Sequence, residues 1–167
     1  MKLIAKIGNN FNSIKDVRLF ISLFSWATLL PLVIKYLPLP KTMQLITSAP
    51  SKREENIKDK KIVQEKIVKY ADYILNLGFW IYKPTCLKRS LLLYHFLTMI
   101  GMNVQVCFGV KFNSNTISND KNGDLGGHAW LLLEGEIFLE KDIEMVREYS
   151  ITYRFPACQP QAGHQPC

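Results

Sequence analysis

Between Ile57 and Asn76 the apolar residues Ile62, Val63, Ile67, Val68, Tyr70, Ala71, Ile74 and Leu75 recur three and four positions apart, and charged residues fill the other face. That spacing predicts an amphipathic helix, stopped at Gly78. The more uniformly apolar run Leu87 to Ile100 predicts a second helix, closed by Gly101 as its C-cap. Beyond Gly101 the period changes to two. Val104, Val106, Phe108, Val110 and Phe112 point one way, and Gln105, Cys107, Gly109 and Lys111 the other, as in a half-buried strand. Asn113 to Gly127 is rich in Asn, Ser, Asp and Gly and reads as a loop. His128 to Leu133 predicts a second strand, Glu134-Gly135 a turn, and Glu136 to Glu140 a third strand. Residues 141–156 predict a short helix or strand with a closing turn.

Upstream, residues 16–37 read as one or two helices bent at Pro31, with Pro38 and Pro40 closing the segment. Residues 41–56 look like a linker or weak helix, broken at Ser48, Pro50 and Ser51 and followed by the charge run Lys52 to Glu55. Residues 1–15 show no clear period. The tail Ala157 to Cys167, with Gln, Pro and Gly, is expected to be disordered. The organisation expected is a helical N-terminal region with its linker over 1–56, a catalytic-type domain over 57–156, and the tail over 157–167. No internal repeat is present. Helices followed by an antiparallel meander make the class α+β.

Leu19 to Ile34 is a membrane candidate, with 16 residues free of charge, broken by Pro31 and closed by Lys35. A spanning helix wants about 20 apolar residues. Lys2, Lys6, Lys15 and Arg18 before it resemble a signal-peptide flank, but Leu-Pro-Leu-Pro follows where a small-residue cleavage site would stand. The segment is expected to be a buried or membrane-surface helix, in a cytoplasmic protein with at most peripheral membrane contact.

The 167 residues suffice for one core and one or two small domains. Hydrophobic residues make up 48% and mean hydropathy is +0.02, as for a globular chain. The net charge of +7 comes from scattered Lys and Arg with no aromatic-basic stripe, so nucleic acid is the weakest partner class. Cys86, Cys107, Cys158 and Cys167 show neither a CxxC nor a zinc spacing. They read as reduced thiols, and no metal is expected.

The candidate chemistry begins at Pro84-Thr85-Cys86. Thr85 is placed to cap the helix, which leaves Cys86 in a first turn whose free N–H groups and dipole favour an anion. A nucleophilic cysteine needs a base, and the base an orienting partner. His128 is one of three histidines, at the junction of the Gly126-Gly127 loop with a strand. A two-residue turn at Glu134-Gly135 would pair Ala129 with Glu140 and set Glu140 on the face opposite His128. A three-residue loop, Leu133-Glu134-Gly135, pairs His128 with Glu140 instead. This second register is the one expected, with Asp142 close enough to compete for the acid's place. The Cys86 N–H would be one oxyanion donor; Gln64, Asn76 and Trp80 are weaker candidates for a second. Trp80, Arg89 and Trp130 are candidate substrate-binding residues. Arg89 would pair a carboxylate or a substrate carbonyl, and Trp130 would pack on the sheet and shield the site. His95 reads as a satisfied histidine and Cys107 as inert.

Cys86-Leu87-x-Arg89-Ser90-Leu91, followed by His128-Ala129-Trp130 with Gly135 and an acid at 140, resembles the transglutaminase-like cysteine peptidases of lasso-peptide biosynthesis. These are maturation proteins that remove the leader from the precursor. The resemblance covers roughly Pro84 to Glu140. It implies a papain/transglutaminase-like fold, with a cysteine helix packed on an antiparallel sheet, and a triad landing on Cys86, His128 and Glu140. It also implies a stand-alone enzyme of the split type. Its partners would be the precursor peptide, a separate leader-binding protein and an asparagine-synthetase-like cyclase. No phosphate-binding loop occurs here, so any ATP dependence would belong to the cyclase. Two other readings stay open: a transglutaminase-like acyltransferase or transamidase using the same thioester, and a non-catalytic scaffold for precursor and cyclase.

Overall fold

A computed structural model describes residues 14–47, 57–77, 85–113 and 124–156. Four helices come first: α1 (Ile14–Tyr36), α2 (Leu39–Ile46), α3 (Ile57–Leu75) and α4 (Cys86–Met99). The strands are β1 (Val104–Asn113), β2 (Asp124–Leu133) and β3 (Glu136–Phe138), with α5 (Ile143–Arg147) before β4 (Ser150–Phe155). They form one antiparallel sheet in the order β3-β2-β1-β4. The α+β class expected from the periodicity is the class observed.

The core forms where the helices meet one sheet face. Leu23, Ala27 and Leu30 of α1, Ile67 and Ile74 of α3, and Leu91 to Leu97 of α4 pack with Val104, Val106 and Leu131 of the sheet. Eight consecutive residues of α4, Ser90 to Leu97, are buried, which explains why its sequence is apolar all round. On the opposite sheet face Cys107, Trp130 and Leu132 pack with Val146 of α5. At the N-terminal end of α1, Asp16 is buried and takes both oxygens to Lys66 of α3, at 2.8 and 3.0 Å.

Both ends of α4 follow the predicted chemistry. Thr85 is extended, and its Oγ1 accepts the Lys88 N–H at 3.3 Å. At the other end Gly101 takes φ +75°, its N–H donating to Thr98 and that of Met102 to Leu97. This is a Schellman closure, which glycine enters without Cβ strain.

α1 is one helix of 23 residues that runs through Pro31 and ends at Tyr36, just before Pro38. Pro38 and Pro40 then also open α2, where a missing N–H at the first helical positions costs nothing. One boundary differs from expectation. β2 begins at Asp124, so Gly126 and Gly127 lie in a strand, paired with Lys111 and Val110. Glycines carry no side-chain alternation, and here the ladder along β1 holds them in the sheet. The expectations for residues 1–13, the 48–56 linker, the 78–84 aromatic bridge, the 114–123 loop and the 157–167 tail lie outside the described residues.

Candidate active site

Cys86 is the first residue of α4 and is partly buried. One turn further on, Ser90 is buried and its Oγ donates to the Ala129 carbonyl at 2.9 Å. A turn of helix is about 5.4 Å, and residues four apart share a face. The Ser90 bond therefore fixes this end of α4 beside β2 at Ala129, the residue after His128.

His128 occupies β2 opposite Gly109 and shares its sheet face with Trp130. The imidazole stacks on the Trp130 ring at 5.9 Å and 17°, and lies 5.2 Å from the Tyr149 ring. Gly109 is what lets Trp130 in, since a Cβ there would stand 2.7 Å from the indole. Trp130 is buried, so it offers the imidazole an apolar wall and no open surface to a peptide.

Glu140 arrives by a route other than the one expected. The hairpin uses the two-residue turn, Leu133 pairing with Glu136, and both Glu134 (φ +54°) and Gly135 (φ +89°) are left-handed. Such a turn matches strand twist and needs positive φ at both positions. The three-residue register is thus overturned. Continued, the observed ladder would put Glu140 on the wrong face, but β3 stops at Phe138 and Leu139 takes φ +61°. That single left-handed residue breaks the alternation and turns Glu140 back, so that its carboxylate stands 3.8 Å from His128 Nε2.

Arg89 holds this turn in place. Its Nε and Nη2 grip Asp72 of α3 at 2.8 and 3.4 Å. Its Nη1 donates to the Leu139 carbonyl at 3.1 Å and stands 3.6 Å from Glu140. The guanidinium's contacts are within the protein, where a role at substrate was also open. Asp142, the competing acid, is committed elsewhere: its Oδ1 accepts the Met145 N–H as N-cap of α5. Burial pushes the Glu140 carboxyl above its ordinary range, against Arg89 and His128, which favour its charged form. His128 Nε2 is buried with no hydrogen-bond partner among the described residues, and it faces this carboxylate across the 3.8 Å gap.

Among the weaker candidates, Asn76 spends its amide on the Asp72 carbonyl at 2.7 Å. Trp80 lies outside the described residues. His95 is satisfied by the Ile46 carbonyl at 2.7 Å and packs tilted against the Trp26 ring, and burial lowers its pKa. Cys107 is fully buried, which pushes its thiol up. No group of three or more metal-ligating side chains occurs among the described residues. Sequence reasoning missed Asp72, Leu139 and Tyr149; a carboxylate seventeen residues before Arg89, on another helix, leaves no local signal.

The sequence pattern of the Transglutaminase-like superfamily matches residues 26–154, from the middle of α1 to the end of β4. The chain belongs to the transglutaminase-like superfamily. The match covers the cysteine helix, His128 and Glu140 together, and superfamily membership is compatible with cysteine peptidase or acyltransferase chemistry. No curated protein and no solved structure matches the chain.

Proposed function

We propose that this transglutaminase-like protein is a thiol endopeptidase working through Cys86, His128 and Glu140, and that its substrate is the leader-bearing precursor of a lasso peptide. The observation carrying the triad is the Glu140–His128 pair. With Nε2 turned to the carboxylate, the other ring nitrogen is left for a thiol. A carboxylate behind an imidazole selects the tautomer and stabilises the imidazolium that forms when the ring takes a proton.

His128 Nδ1 takes the Cys86 proton as Sγ attacks the scissile carbonyl carbon. The negative oxygen so formed is met by the Cys86 N–H at the open first turn of α4. Collapse expels the amine with the proton held on His128 and leaves a thioester on Sγ. Water, deprotonated by the same imidazole, then cleaves the thioester and restores the thiol. Trp130 and Tyr149 beside the ring keep bulk water from the imidazolium–carboxylate pair.

The lasso assignment is supported by the cysteine motif Cys86-Leu87-x-Arg89-Ser90-Leu91 spaced against His128-Ala129-Trp130 and an acid at 140. On this reading a separate protein presents the leader and a cyclase takes the released core, and any nucleotide is bound by that cyclase. The test is mass spectrometry of a precursor peptide incubated with the protein and these partners. Separate leader and core with wild type, about 10²-fold slower release with Glu140→Gln, and none with Cys86→Ala support the reading. A leader joined to an added amine assigns acyl transfer; cleavage retained by Cys86→Ala assigns a scaffold.

A further inference from the structure

α1 presents two apolar faces, and among the described residues one of them is packed into the core. Leu23, Ala27 and Leu30 point into the core, while Ile21, Leu29, Leu32 and Tyr36 lie on the outer side, 58%, 48%, 52% and 73% exposed. A stripe of this kind along 23 residues is about 34 Å long at 1.5 Å per residue. We infer that this outer face of α1 lies on an anionic lipid bilayer, seated at the depth of the headgroup–acyl boundary.

The polar groups of the face are what select lipid over a protein partner. Ser25 and Thr28 sit in the middle of the stripe, and both hydroxyls donate back to their own helix, to the Ile21 and Phe24 carbonyls at 2.9 and 2.8 Å. The middle of the face thus spends its donors internally. A protein interface ordinarily carries about one hydrogen bond per 100–200 Å², whereas hydrocarbon asks for hydroxyls already satisfied. The charges sit at the ends and have one sign: Arg18 near the start, Lys35 near the finish, and Lys41 on the adjoining α2, all exposed. The one acid in α1 or α2, Asp16, is turned inward to Lys66. Tyr36 ends the stripe with Lys35 Nζ 5.6 Å from its ring centre, an amphipathic pair suited to headgroup level.

The arrangement is one of lying on the membrane. The segment passes the length and hydropathy requirements for a span, with a mean of 1.9. Crossing would strip Leu23, Ala27 and Leu30 from the core and break the bond of buried Asp16 to Lys66. Docked flat, α1 keeps both and buries its outer stripe, with the basic ends drawn to acidic headgroups.

Flotation of the full chain with vesicles of phosphatidylcholine alone, or with one third phosphatidylglycerol, tests this. The expected result is flotation with the anionic vesicles, at least tenfold weaker with phosphatidylcholine or in high salt. Ile21→Ser/Leu32→Ser and, separately, Arg18→Glu/Lys35→Glu should each weaken it tenfold or more, while far-ultraviolet circular dichroism and thermal melts match wild type. The inference is overturned if neither vesicle floats the protein, or if the variants float like wild type. A concentration-dependent dimer that Ile21→Ser/Leu32→Ser abolishes, without flotation, would assign the face to a second copy of the chain. Peptide cleavage in detergent-free buffer is expected to be unchanged in these variants, so this test stands apart from the proposed activity.

Discussion

The Glu140 carboxylate reaches to within 3.8 Å of His128 Nε2 from a strand register that would set it on the other side of the sheet. The short β3 ladder ends at Phe138, and one left-handed residue, Leu139, re-aims the chain before it resumes. A left-handed conformation costs a branched residue on the order of 1–2 kcal/mol. Arg89 secures it from α4 through the Leu139 carbonyl, anchored in turn on Asp72 of α3. The site is thus assembled from α3, α4, β2 and the turn after β3.

Arg89 also opposes burial at Glu140. Burial is the largest influence and raises the carboxyl's pKa; the guanidinium is the largest counterweight. Arg89→Met therefore leaves Glu140 protonated to higher pH, and the acid limb of kcat/KM moves upward. Arg89→Lys keeps a charge without the fork and should move it less. For stability the sign runs the other way from an ordinary ion-paired carboxylate. With the folded-state pKa raised, Glu140's contribution is greatest in acid and is lost as pH rises through that value. Thermal melts from acid to neutral pH should show a steeper loss in Arg89→Met than in wild type.

Gly109 is held small by Trp130. An added Cβ would stand 2.7 and 2.9 Å from the indole and 3.0 Å from the Ser150 carbonyl. Overpacking of this kind costs about 1–3 kcal/mol. Gly109→Ala should lower the thermal midpoint and also disturb the ring stacked on His128, so activity should fall even well below the melting range.

How much of this was legible in the sequence follows from where each signal resides. The capped start of α4, its Gly101 closure and the alternating strand after it depend on neighbouring residues, and the chain displays them locally. The two-residue turn was legible in principle, because Glu134-Gly135 stands alone between two apolar runs. A regular ladder through Glu140 would face the wrong way in that turn, which favours the three-residue loop, and no residue type announces that Leu139 departs from the ladder. A leucine at positive φ is unfavourable by itself and is held by tertiary contacts, the Arg89 bond to its carbonyl and the packing of its side chain on the core. The Asp72 anchor and the Tyr149 ring beside His128 arise from packing between distant elements for the same reason.

Glu134 offers an independent check on the turn. It is exposed and sits at φ +54°, where asparagine is better tolerated. Glu134→Asn should stabilise the fold by about 0.5–1 kcal/mol, and a gain of this size raises the midpoint of a chain this long by roughly 1–4 °C. Activity should not change, since the register of β3 is unaltered. Loss of stability would indicate a different turn.

The proposed pairing of the Cys86 thiol with the His128 imidazole is tested most directly by the alkylation rate of Cys86. The folded protein is treated with iodoacetamide at neutral pH, and peptide mapping separates Cys86 from Cys107, Cys158 and Cys167. The account predicts rapid labelling of Cys86, slowed about tenfold in a folded His128→Ala variant, with buried Cys107 unlabelled in both. Equal Cys86 rates in wild type and His128→Ala would show that the ring does not serve the thiol, and would contradict it.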